Sequence, residues 1–158
     1  MLLRAAIFLI TFSGLMFEIG LTRIYSATIW YHFTFVAVSV ALLGWGLGGF
    51  AVHVTRRRRP PSLERAGTLS FVSGLGMLAC LWAVAHLPGT PDVLPLYFLA
   101  PLLPFFLAGM ALSMIFDVNR AIAPSLYFAD LLGASIGAAG VSVLLQRSEE
   151  HTSELQSR

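Results

Sequence analysis

Long apolar stretches separated by short polar segments dominate the chain. Five of them, residues 2–22, 33–54, 69–87, 94–116 and 125–145, are close to the about 20 residues that a helix needs to cross the hydrocarbon of a bilayer. None alternates strictly between apolar and polar positions, as the strands of a membrane β-barrel do. The pattern therefore predicts an all-α, polytopic transmembrane helix bundle with about five spans.

The composition supports a membrane protein over a soluble one. Of the 158 residues, 57% are hydrophobic and only 11% are charged, whereas soluble domains carry about 25% charged residues. A signal peptide is the rival interpretation of the first stretch, which follows Arg4. The stretch is long, contains Glu18 and lacks a convincing cleavage site, so we favour a membrane span.

Arginine residues set the expected orientation. Arg56, Arg57, Arg58 and Arg59 lie in the loop between the second and third stretches. Short loops rich in Lys or Arg stay in the cytoplasm, which places the N-terminus there too. The same run favours contact with the lipid bilayer and its anionic headgroups. Because topology already explains the run, we expect no nucleic acid as a partner.

Aromatic residues near the ends of the stretches agree with this orientation, since such residues form belts at both membrane interfaces. The predicted belt positions are Trp30, Tyr31, Trp82, Tyr97 and Phe98 at the outer side and Tyr127 and Phe128 at the inner side.

Three charged residues near or within the apolar stretches form a candidate intramembrane polar site: Glu18, Arg23 and Asp130. An ionisable group at such a depth is a functional candidate by default, although a structural role is also open. Glu18 shares one predicted helix face with Thr11, Gly14 and Thr22, and this face should point into the bundle. Counting the rise per residue separates the depths of Glu18 and Asp130 by about 10 Å, too far for a close acid–base pair.

Small residues at four-residue spacing predict close helix packing. We expect it at Gly44 with Gly48 and at Gly133 with Gly137. Ser70 and Gly74 repeat the spacing in the third stretch.

Other patterns weigh less. Gly44, Gly46 and Gly49 also spell the dinucleotide-binding fingerprint, but an uncharged membrane span lacks the strand and the water that this motif needs. Pro101 and Pro104 should kink the fourth span. The histidines lack metal-ligand spacing, and we predict no catalytic residue, metal or cofactor in the chain.

Two parts of the chain resemble the membrane helices of spermidine synthase-like integral membrane proteins of bacteria. The first part resembles the first two helices of that family and the second a later helix; several polar positions match in order. The matching segments are 13–19 (SGLMFEI), 21–24 (LTRI), 30–33 (WYHF), 39–44 (SVALLG), 126–134 (LYFADLLGA) and 137–138 (GA).

The resemblance implies a membrane bundle that precedes a cytosolic domain similar to polyamine aminopropyltransferases. That domain would have a Rossmann-like fold and bind decarboxylated S-adenosylmethionine and a diamine, which connects the parent protein to polyamine biosynthesis. Its glycine-rich loop and catalytic acids would lie beyond Leu145, so the fragment alone should not be an enzyme. Its partners would be the missing C-terminal helices and cytosolic domain, and its location the bacterial inner membrane.

The last residues differ abruptly from the rest. Residues 147–158 begin RSEEHTSELQS, one reading frame of a common short-read sequencing adapter. We therefore interpret 1–146 as the transmembrane helical domain and 147–158 as a non-native tail. Two alternative functions stay open: a small-molecule transporter or ion-relay bundle, suggested by Glu18 and Asp130, and a structural membrane anchor or assembly module.

Overall fold

The structure, a computed structural model, describes residues 1–28, 34–86 and 94–156. Within these ranges the regular elements are all helices. They are α1 (Leu2–Thr28), α2 (Thr34–Thr55), α3 (Leu63–His86), α4 (Leu94–Leu99), α5 (Leu102–Val118), a short 3₁₀ helix (Arg120–Ile122) and α6 (Ala123–Gln156).

The predicted all-α class is confirmed, and the described ranges contain five helical stretches long and apolar enough to span a membrane. Large apolar side chains cover the outside of the bundle: Phe35, Phe50 and Phe71, for example, are each more than 60% exposed. So much exposed apolar surface suits a lipid environment and not water. The protein is a multi-pass membrane protein by these criteria.

Three helices extend well beyond their predicted bounds. α1 continues to Thr28, α3 begins at Leu63 instead of residue 69, and α6 continues to Gln156 instead of residue 145. The early start of α3 has a local cause, because Ser62 caps it: its side-chain oxygen accepts a hydrogen bond from the Arg65 N–H at 3.3 Å. Hydropathy alone did not detect this first turn because it is polar.

The predicted fourth span is interrupted between α4 and α5, at Ala100 and Pro101. In an α-helix the carbonyl of Tyr97 would accept the N–H four residues later, but that residue is Pro101, which has no N–H. The hydroxyl of Tyr25, on α1, donates a hydrogen bond to this carbonyl. A second hydroxyl, that of Ser73 on α3, donates to the carbonyl of Pro104 at 2.7 Å. The two prolines therefore create the break, and neighbouring helices satisfy carbonyls around it.

α5 is the centre of the bundle. In the span Pro95–Val118, 44% of the most apolar stretch is buried, compared with 22–28% in the other spans. α2 and α3 both pack along α5, while α1 packs along α6 and also contacts α2. The chain therefore folds as two helix layers joined through α1 and α2.

Aromatic residues near the helix ends behave differently from one another. Trp82, Tyr127 and Phe128 are more than half exposed, as expected for an interfacial belt. Tyr97, predicted for the same belt, is instead buried, with 1% of its surface exposed. Its ring packs edge-on against Tyr25 at a centroid distance of 5.9 Å, so it joins α1 to α4. Trp30 and Tyr31 lie outside the described residues.

Candidate functional site

A cleft lined by several polar and charged side chains lies at the end of the bundle that carries residues 56–59, here called the basic end. Its volume is about 330 Å³. The cleft lies between the end of α2, the end of α5 and the start of α6, and we call it the ionic cleft. It is lined by Val52, His53, Arg56, Ser113, Phe116, Asp117, Arg120 and Ala123.

Asp117 is the central group of the ionic cleft. One carboxylate oxygen lies 3.2 Å from Nε of Arg56. The other accepts a hydrogen bond from Nε of Arg120 at 3.0 Å and contacts Nη2 of the same guanidinium. The carboxylate side chain is only 15% exposed, whereas Arg56 and Arg120 are 49% and 65% exposed. One shielded acid therefore fixes two guanidinium groups at the membrane boundary.

The sequence places Arg56 far from Asp117 and Arg120, and glycine packing brings the two ends together. Cβ atoms at Gly44 and Gly48 of α2 would collide with the backbone or first side-chain carbon of α5 at Phe105 and Phe106. A Cβ at Gly109 of α5 would in turn lie 2.6 Å from the carbonyl oxygen of Trp45. α2 and α5 can therefore approach backbone to backbone, and the ends of both helices meet at the ionic cleft.

Sequence reasoning did not select Asp117 for a site. The predicted spans end at residue 116 and resume at residue 125, which leaves Asp117 between them, whereas the residue lies in the last turn of α5. A usable signal existed: Asp117 and Arg120 are three residues apart, which is a contact spacing at a helix end. The predicted topology also placed both on the same side as the arginine run.

The predicted polar face of α1 is turned inward only along part of its length. Thr11 is buried, and its hydroxyl donates to the carbonyl oxygens of Ile7 and Asp130, each at 3.1 Å. Gly14 is also buried, and a Cβ there would lie 2.9 Å from the ring of Trp45. Glu18 and Thr22 are half-buried. The face therefore contacts α6 and α2 at its start and reaches the edge of the bundle at Glu18.

Glu18, Arg23 and Asp130 do not form one site. The hydrogen bond from Thr11 sets the level of Asp130 along α1, and Glu18 lies seven residues farther, or about 10 Å. Within the described residues, neither carboxylate forms a hydrogen bond or an ion pair with a side chain. Arg23 is exposed near the end of α1. Each of these groups therefore has its own surroundings.

The predicted glycine pair of α6 packs against α1. A Cβ at Gly133 would collide with the carbonyl oxygen of Phe8, and one at Gly137 would lie 2.8 Å from that of Phe12. Gly74 differs: a Cβ there meets no described atom within 4 Å, so the close contact predicted for Ser70 and Gly74 is not formed there.

No group of three or more potential metal ligands occurs among the described residues. His32 lies outside the described residues. His53 lines the ionic cleft, and His86 stacks on Trp82 at a ring distance of 4.7 Å. His53 and His86 thus belong to different surroundings.

No protein-family model, curated protein or solved structure matches this chain.

Proposed function

We propose that the chain is the membrane-embedded N-terminal domain of a spermidine synthase-like integral membrane protein, and that chemistry is carried out by a cytosolic domain of the same protein. The resemblance motivates this function. One structural observation supports it: the segments that carry the resemblance pack against each other. A Cβ at Gly137, in the later segment, would contact Leu15 of segment 13–19, and one at Gly14 of that segment would contact Trp45, which directly follows segment 39–44.

The proposed orientation places the basic end in the cytoplasm of a bacterial cell. Arg4 lines a cavity together with Ser125 and Phe128 at the start of α6, while Arg56 and Arg120 meet at Asp117. Basic residues from separate parts of the chain therefore gather at one end of the bundle. Such clustering supports a cytoplasmic location, where the proposed enzyme domain would also have its substrates.

The intact gene tests this proposal directly. Sequencing through codon 147 from genomic DNA should replace the adapter-like residues with further apolar helices. A glycine-rich nucleotide-type loop after a predicted strand should follow them. A complete gene without such a loop would overturn the proposal, whatever the number of helices.

A second function is favoured by one observation. The carboxylate of Glu18 lies half-buried within α1, and no described side chain pairs with it. Such a group suits a small-molecule transporter or an ion relay, because a charge within a span is costly and the acidic residues found there commonly mark substrate or ion pathways.

Flux measurements distinguish this second function. If Glu18 carries protons or a substrate, Glu18→Gln abolishes flux into proteoliposomes while the protein stays folded. Glu64→Gln is the matched control, since Glu64 is exposed in the first turn of α3. Equal flux in the two variants would rule out a transport role for Glu18.

A further inference from the structure

The ionic cleft distinguishes one arginine of the run 56–59 from the others. Arg56 lines the cleft and pairs with Asp117 at 3.2 Å. Arg58 is exposed and does not line the cleft. A diffuse attraction to negative charge would use both residues alike, whereas a defined site would use only the one that is held in place.

Unused hydrogen-bond donors remain in the ionic cleft. Each guanidinium has five N–H donors in a fixed planar arrangement. Asp117 forms an ion pair with Nε of Arg56 and accepts hydrogen bonds from Nε and Nη2 of Arg120. Within the described structure, no other hydrogen bond is formed by either guanidinium. Both side chains are about half exposed or more, so the remaining donors are available to a ligand.

The charge balance of the ionic cleft favours an anion. Two guanidinium groups face one carboxylate, which leaves a net charge of about one positive unit at neutral pH. Asp117 also holds the two guanidinium groups in place before any ligand arrives. Such preorganisation lowers the entropy cost of binding. Planar guanidinium groups suit phosphate oxygens, which they can contact in pairs.

The apolar side of the ionic cleft and its position beside the membrane-spanning helices indicate which kind of molecule carries the anionic group. Val52 and Phe116 give the cleft an apolar side, next to the membrane-spanning parts of α2 and α5. A volume of about 330 Å³ is at the lower end of the usual range for small-molecule sites, about 300–1,000 Å³. It is suited to a headgroup with the first carbons of its chains.

We propose that the ionic cleft binds a phosphate group between Arg56 and Arg120, supplied by the headgroup of an anionic phospholipid. A soluble phosphate would use the same two guanidinium groups, so the experiment separates the two sources. The site is independent of the enzyme domain proposed above, and its test does not depend on that domain.

The test uses the protein purified in a neutral detergent and short-chain lipids. Dissociation constants are measured for dihexanoyl phosphatidylglycerol, dihexanoyl phosphatidylcholine and inorganic phosphate. We expect phosphatidylglycerol to bind at least about tenfold more tightly than phosphatidylcholine. This ratio corresponds to a difference in binding free energy of about 1.4 kcal/mol. Arg56→Gln and Arg120→Gln should each lower the affinity for phosphatidylglycerol by about tenfold, because each removes charge-assisted hydrogen bonds to the phosphate group.

Arg58→Gln is the matched control, since it removes the same charge from the same loop outside the cleft. It should change the affinity by less than about twofold, as expected for a screened surface charge. Equal losses in all three arginine variants would overturn the proposal in favour of a diffuse field, and so would equal affinities for the two lipids. Inorganic phosphate that binds as tightly as the anionic lipid would overturn the lipid as the source of the phosphate group. Weaker binding of inorganic phosphate would support it.

A further variant keeps the test valid if the arginine variants unfold. Ser113 lines the ionic cleft and is half-buried on α5. Ser113→Leu fills the cleft without changing any charge, so it should lower the affinity for phosphatidylglycerol by at least about tenfold. Circular dichroism checks that the helices remain. Unchanged affinity in a folded Ser113→Leu protein would refute a site within the cleft.

Discussion

Gly48→Ala should separate α2 from α5. The added Cβ would lie 2.7 Å from the Met110 nitrogen and 2.9 Å from the carbonyl carbon of Gly109, and it would also collide with the Phe106 oxygen. All of these are backbone atoms of α5, so no side chain can turn away to make room. The helices themselves must move apart.

The size of this movement follows from ordinary contact distances. Carbon atoms rest about 3.5–4.0 Å apart, so relief of the contact with Gly109 needs a shift of about 0.6–1 Å. A gap of that size removes about a quarter to a half of the dispersion attraction at each affected contact. Overpacking of this kind costs about 1–3 kcal/mol of unfolding free energy. The better helix propensity of alanine offsets up to about 1 kcal/mol of that cost.

Thermal unfolding in detergent measures the effect. Gly46→Ala is the matched control, because it lies on the same helix and its added Cβ would meet no described atom within 4 Å. Both changes add one methyl group to α2, so their difference isolates the contact with α5. We expect the midpoint of Gly48→Ala to fall below that of Gly46→Ala by at least about 3 °C. Equal midpoints would refute the backbone-to-backbone contact of these helices.

Three further predictions follow from other parts of the bundle. Tyr25→Phe should lower the unfolding free energy by about 0.6–1.7 kcal/mol, because the Tyr97 carbonyl of α4 loses the hydroxyl that donates to it from α1. Tyr127→Phe, at an exposed ring, should change the unfolding free energy little. Equal effects of the two changes would contradict the role of the Tyr25 hydroxyl. Gly133→Ala should destabilise the α1–α6 contact by about 1–3 kcal/mol in the same unfolding assay, and no loss of stability would contradict that contact. A cysteine introduced at Arg58 should react in intact cells only with a membrane-permeable reagent, because the proposed orientation places it in the cytoplasm. Labelling by an impermeant reagent would contradict that orientation.

The helices were predictable because hydropathy detects what a bilayer requires. A stretch such as α2 is apolar on every side, and its length alone indicates a span. The same property hides which side faces inward. Gly44 with Gly48 and Ser70 with Gly74 have identical spacing, yet a Cβ at Gly48 would collide with α5 and one at Gly74 would meet no described atom within 4 Å. Spacing therefore predicts a small-residue face without predicting its partner.

The break in the fourth span was half predictable. Pro101 and Pro104 indicated a kink from the sequence, since proline removes a helical hydrogen bond. The group that satisfies the freed carbonyl could not be predicted, because Tyr25 comes from another helix 72 residues earlier. Tyr97 was assigned to the interfacial belt for a similar reason: sequence position places a residue near a helix end, and only packing decides whether lipid or protein covers it.

The sequence drew attention to charged residues inside apolar stretches but not to those at the ends of the stretches. Glu18 and Asp130 attracted attention because a charge inside an apolar stretch is costly. Asp117 drew none, since an acid at the end of a span is ordinary. Yet Asp117 holds two arginines in place, whereas the described structure gives the carboxylates of Glu18 and Asp130 no charged partner.

The ionic cleft and the glycine contacts are parts of one arrangement. Arg56 follows α2 directly, and Asp117 lies in the last turn of α5, so the distance between them depends on how closely these helices approach along their length. The helices approach closely because Gly48 and Gly109 have no Cβ to separate them. A side chain at either glycine would therefore act on the ion pair from about two helical turns away from the charged residue next in its own segment, Arg56 for Gly48 and Asp117 for Gly109. The charges at the basic end are held in register by residues with no charge and no side chain.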